Sequence, residues 1–87
     1  MKSDIQKYVT DHFPLKDQQQ VFFLMEELSN KSWNVGTDQL LRSLLFLSKG
    51  DIGKLNDLLP IEDPRDIILL AEQEAGNPGH YFINSFN

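Results

Sequence analysis

Cysteine is absent from this 87-residue chain, and its absence excludes several kinds of chemistry at once. Without a thiol there is no disulfide, no thiolate nucleophile and no cysteine-based zinc site. Small secreted domains usually depend on disulfides, so the composition favours a reducing, cytoplasmic setting. Residues 1–4 lead directly into an amphipathic pattern with no apolar leader, and we therefore expect no signal peptide.

Long apolar runs are also missing. The longest span only five residues, at 21–25 and 67–71. A helix that crosses a bilayer needs roughly 18–20 consecutive apolar residues. The sequence therefore predicts no membrane span.

Basic residues are scarce in the last third of the chain. Residues 1–56 carry equal numbers of acidic and basic side chains, whereas residues 57–87 carry six acidic residues against Arg65 alone. The whole net charge of −5 therefore comes from the C-terminal third. Nucleic-acid binding needs a basic footprint on the protein, so we do not expect it here.

Helical periodicity runs through most of the sequence. Apolar side chains recur at i, i+3 and i+4, and start and stop signals divide the chain into segments. Ser3 and Gln6 form a capping-box pattern for a first helix that ends at Phe13. Further helices are predicted at 14–29, at 37–48 with Thr37 as its cap, at 52–59 and at 64–75. We expect an all-α, compact orthogonal bundle of five or six short helices in a single domain, residues 1–87.

Two of these helices are predicted to be central. The segment 37–48 has leucines on more than one face, and 64–75 contains the apolar run 67–71. A helix that is apolar on several sides is usually buried on several sides.

The C-terminal segment is apolar for a chain end. After Gly76, Asn77 is a good helix cap and Pro78 suits a first helical position. Phe82, Ile83 and Phe86 then share one helical face. We predict a short sixth helix packed on its own bundle, with docking on a neighbouring subunit as the alternative.

No arrangement of side chains points to catalysis. The two histidines, His12 and His80, are not spaced as metal ligands, and the glycines form no phosphate-binding loop. We interpret His12 as a half-buried packing residue, and His80 as a hydrogen-bond partner of Glu72 or Glu74. The prediction is a protein that is not an enzyme and holds no metal or cofactor.

One stretch resembles known sequences. Residues 44–72 resemble small bacterial helical proteins of unassigned role, in which Gly-Asp precedes a leucine-rich helix and Asp-x-Arg-Asp precedes an apolar helix ending in Ala-Glu. The matching positions are Gly50, Asp51, Leu55, Asp63, Arg65, Asp66, Ala71 and Glu72. This resemblance implies a bacterial protein and no particular activity.

These features together favour a small protein-binding module, acting as an adaptor, regulator or inhibitor. The acidic helix 64–75 and the aromatic tail are the expected surface, with Glu72, Glu74, His80 and Tyr81 as candidate contacts. Trp33 is a further candidate, since it either folds back against the bundle or stands exposed as an aromatic anchor. The expected partner is another protein, and a basic one would complement the acidic C-terminal third.

Three other functions remain open from the sequence. One is an immunity-type inhibitor whose acidic face neutralises a basic toxin. Another is a small-ligand or metal-binding domain using His12, His80 and Glu72. The third is a structural protein that associates with itself, so that the chain is either a monomer or a homodimer.

Overall fold

Five α-helices form the described part of the computed structural model, which covers residues 1–76 and 82–86. They are α1 (Ser3–His12), α2 (Leu15–Ser29), α3 (Thr37–Ser48), α4 (Ile52–Asp57) and α5 (Pro64–Ala75). No strand occurs in these residues. The Cα radius of gyration, 11.8 Å, is close to the value of about 12 Å expected for a compact domain of this length. The prediction of an all-α bundle of short helices is confirmed.

Two helix starts have the aspartate caps that the sequence predicts. The Asp51 carboxylate accepts hydrogen bonds from the backbone N–H groups of Gly53 and Lys54. The Asp63 carboxylate accepts one from Arg65, with Pro64 at the first helical position. Each cap satisfies N–H groups that have no partner inside the helix.

Two other predicted caps are wrong by one residue. Lys2 and Gly36 hold the extended N-cap positions, so Ser3 and Thr37 are already helical and neither hydroxyl caps its helix. The predicted capping box also fails, because the Gln6 side-chain amide donates to the Met1 carbonyl oxygen instead, at 3.1 Å. A pattern of residue types does not specify where the backbone first becomes helical.

The chain reverses sharply after α3. Lys49 and Gly50 both adopt left-handed conformations, with φ of 52° and 77°. A side chain at Gly50 would collide with the carbonyl oxygen of His12. This glycine therefore allows the end of α3 to lie against the end of α1. The following helix, α4, ends at Asp57, two residues before the predicted limit.

Helix α3 is the centre of the fold, as predicted. It packs against each of the other four helices. The prediction that α5 is a second central helix is wrong, because α5 packs mainly against α3 and buries one face only. Leu69 and Leu70, from the apolar run, are 51% and 49% exposed.

Residues 82–86 pack on the bundle, but not as a helix. Phe82 is 1% exposed, lies beside Phe46 and has a φ of 57°, which is incompatible with a right-handed helix. Phe86 stacks on Tyr8. The sixth helix is therefore wrong for residues 82–86, whereas the packing of the two phenylalanines on their own bundle is confirmed. Its predicted cap, Asn77–Pro78, lies outside the described residues.

Within residues 1–76 and 82–86, no helix has the length and apolar character needed to cross a membrane.

Candidate functional site

The exposed side of α5 carries two adjacent, half-exposed leucines. Asp66, Leu69, Leu70 and Gln73 are all exposed on it, and we call these four residues the α5 outer face. Asp66 lies one helical turn before both leucines, so its carboxylate and their side chains share a surface. Single exposed leucines are common, but two adjacent ones beside a carboxylate resemble the core and rim of a protein interface.

A groove continues this surface toward the bundle. It has a volume of about 350 Å³, and its apolar wall consists of Leu47 from α3, Leu58 after α4 and Leu70 from α5. The polar wall consists of Lys54, Asp57 and Glu74. Leu70 therefore belongs both to the outer face and to the groove. The two together form a continuous apolar surface with charged groups at its edges.

Ion pairs shape the charge around this surface. Glu74 pairs with Lys49 at 2.9 Å, and both side chains are close to half exposed. Arg65 pairs with Asp63 at 3.2 Å. The Arg65 guanidinium, together with the Arg65 backbone N–H, holds the pKa of the Asp63 carboxyl below its usual value. Among the described residues neither Asp66 nor Asp57, in the groove wall, forms an ion pair, so both carboxylates are unpaired at this surface.

The two glutamates predicted as contacts occupy different environments. Glu74 is exposed at the groove but is already paired with Lys49. Glu72 is half buried, and its Oε1 atom is buried with no hydrogen-bond partner among the described residues. The structure therefore separates them, and only Glu74 adjoins the groove.

Trp33 is folded against the bundle. It is half buried and packs on the hydrophobic core, and its indole N–H donates to the Leu28 carbonyl oxygen at 2.9 Å. Of the two predicted alternatives, the structure has the one in which Trp33 closes the loop after α2. Trp33 also lines a pocket of about 370 Å³ with Leu24, Lys31, Pro60 and Ile61 among its walls.

The histidine predictions have mixed outcomes. His80 and Tyr81 lie outside the described residues. His12 is exposed rather than half buried, because it lies at the last position of α1, although its ring still packs on Tyr8 with centroids 4.0 Å apart. Residues 1–76 and 82–86 contain no group of three histidine, aspartate or glutamate side chains that could hold a metal ion.

Arg42 is the residue that sequence reasoning missed. It is 2% exposed, in the middle of the central helix α3. Its Nε and Nη2 atoms donate to the two Asp4 carboxylate oxygens at 2.8 and 3.1 Å. A signal was present, since an arginine among leucines on a helix buried on several sides needs an acidic partner. Nothing in the sequence indicates which acidic residue that is.

No protein-family model, curated protein or solved structure matches this chain.

Proposed function

We propose that this chain is a non-enzymatic protein-binding module, an adaptor, regulator or inhibitor, and that its partner docks on the α5 outer face and the adjoining groove. The observation that carries this proposal is the position of Leu70. It is half exposed at the mouth of a groove whose apolar wall Leu47 and Leu58 continue, with Asp66 one turn away. An apolar anchor surrounded by polar groups is the usual anatomy of a binding hot spot.

The expected partner presents an apolar side chain flanked by basic residues. The groove accepts the apolar side chain, and Asp66 attracts the basic group. Support for a basic partner comes from the charge distribution, since residues 57–87 hold six acidic residues and one basic residue. An inhibitor of a basic toxin is the sharper form of this hypothesis. The lack of cysteine supports a reducing, cytoplasmic location, and the resemblance at 44–72 supports a bacterial source.

Affinity purification with matched variants tests the proposal. The tagged chain is used as bait in an extract of the organism that encodes it, and bound proteins are quantified by mass spectrometry. We expect one protein to be retained by the wild type and lost with the double substitution Leu69→Ala and Leu70→Ala. The control is Leu15→Ala on α2, which alters a leucine that is 84% exposed and lies outside the proposed surface.

Ionic strength provides a second criterion. Attraction between exposed charges is screened over about 10 Å at 0.1 M salt, so retention should fall as salt rises and with Asp66→Asn. Equal losses with Leu15→Ala and with the double variant would contradict the proposed surface. Circular dichroism controls for folding, because exposed positions of this kind change stability by only about 0.5 kcal/mol.

A further inference from the structure

The C-terminal residues 82–86 lie across α1 and α3, and we call them the strap. Phe82 packs beside Phe46 of α3, with ring centroids 5.0 Å apart. Phe86 stacks on Tyr8 of α1 at 4.3 Å, with ring planes within 17° of parallel. Ile83, between them, is 57% exposed. The strap is therefore held by two aromatic side chains four positions apart.

The backbone of the strap is held by Arg42. Its Nη1 atom donates to the carbonyl oxygens of Phe82 and Ile83, at 3.3 and 2.5 Å. The other side of the guanidinium is bound by Asp4, which fixes its orientation. Hydrogen bonds to the main chain combined with pockets for spaced side chains are a general mode of peptide recognition.

Both phenylalanines of the strap contact the bundle. Phe86 packs against the main cluster of buried apolar side chains, and Phe82 is buried beside Phe46. Phe82 has a φ of 57°, a left-handed conformation that is strained for a bulky residue. The strap is thus packed on the bundle with one of its two anchors in a strained backbone conformation.

We propose that the groove beneath the strap is a peptide-binding site that the chain occupies itself. Its walls are Arg42 and Phe46 of α3 with Asp4 and Tyr8 of α1. The occupant that displaces the strap is a segment of another protein in a non-helical conformation, carrying two aromatic residues four positions apart. This chemistry follows from the strap, which shows what the groove accepts. Because the strap belongs to the same chain as the site, a foreign segment must displace an intramolecular occupant, and it competes more easily when the strap is weakened.

Peptide binding to full-length variants tests this site. The probe is a fluorescently labelled synthetic peptide with the sequence of residues 77–87, and binding is measured by fluorescence anisotropy. We expect Phe82→Ala to bind the probe at least about ten-fold more tightly than the wild type, because its own strap no longer competes well. The matched control is Ile83→Ala, which alters an exposed position of the same strap and should behave as the wild type. A probe with both phenylalanines replaced by alanine should not bind.

Two results would overturn the proposal. One is equal probe affinity for the wild type, Phe82→Ala and Ile83→Ala. The other comes from native-state hydrogen exchange of the unaltered chain, which does not depend on any variant folding. We expect the amides of the strap to exchange by local opening, much faster than those of α3. If the amides of the strap and those of α3 exchange only through global unfolding, the strap is part of the cooperative core and the proposal is wrong.

Sedimentation equilibrium distinguishes the source of the occupant. We expect the wild type to remain a monomer at tens of micromolar. A dimer whose formation is lost in Phe82→Ala but kept in Ile83→Ala would assign the groove to the strap of a second copy and overturn the proposal of a foreign segment.

Discussion

Replacing Asp4 with asparagine should destabilise the fold far more than its position near the start of the chain suggests. The Asp4 carboxylate accepts two hydrogen bonds from the buried Arg42 guanidinium. Asparagine keeps the size of the side chain but removes its charge and replaces one acceptor oxygen with an NH₂ group. One guanidinium N–H then faces an NH₂ donor in place of its carboxylate acceptor.

The magnitude depends on the burial of the two partners. Leaving a buried charge without its partner costs about 3–5 kcal/mol when the pair is fully buried. Arg42 is buried here, but the Asp4 side chain is 37% exposed, so water partly replaces the lost oxygen. We therefore expect Asp4→Asn to lower the free energy of unfolding by about 1–3 kcal/mol.

Two control variants isolate this pair from other effects. Asp38→Asn removes an acidic residue from the corresponding first turn of α3 and measures the helix-dipole effect, about 0.3–1 kcal/mol. Lys7→Ala breaks an exposed ion pair with Asp11, which is worth about 0.3–0.5 kcal/mol. Urea unfolding followed by circular dichroism gives all three values. The argument fails if Asp4→Asn costs no more than either control.

Three further outcomes are expected. Stability should depend on pH through Asp4, because hydrogen bonds from Arg42 lower the pKa of its carboxyl from the ordinary value of 3.8. The stability that the ionised Asp4 contributes is fully present above pH 3.8 and is lost as the pH falls through the lowered pKa. Urea unfolding midpoints measured in an acid series would show this loss. Gly50→Ala should destabilise the fold more than Gly76→Ala. Each substitution puts a side chain on a left-handed residue, which costs about 1–2 kcal/mol, but only Gly50 abuts a backbone carbonyl group. Equal unfolding midpoints for the two variants would contradict the predicted clash. Trp33→Phe should cost about 1 kcal/mol for the lost indole hydrogen bond, and unchanged thermal unfolding would refute this.

Local signals in the sequence were enough to predict most of the helices. Asp51 and Asp63 cap their helices because an aspartate side chain reaches N–H groups two and three residues away, whatever the rest of the chain does. The end of α1 at Phe13–Pro14 and the end of α5 at Gly76 have similarly local causes. The all-α class follows from these signals together with the apolar periodicity.

The surface of α5 was not predictable in this way. Its apolar run suggested a central helix, and the structure exposes Leu69 and Leu70 because α5 packs mainly against α3. Whether an apolar residue becomes part of the core or of the exposed surface depends on how many neighbours surround its helix. That number is a property of the assembled bundle and not of the segment.

The C-terminal segment shows most clearly the difference between what local sequence signals predict and what the tertiary structure decides. Its two phenylalanines indicated from the sequence alone that it packs against something, because exposed aromatic side chains are unfavourable in water. Only the tertiary structure brings Asp4, Arg42 and residues 82–83 together, from parts of the chain about forty residues apart. The composition and the helix signals therefore determined a cysteine-free, all-α protein. The groove beside α5, the packing of the strap and the burial of Arg42 depend instead on long-range packing that local sequence signals do not encode.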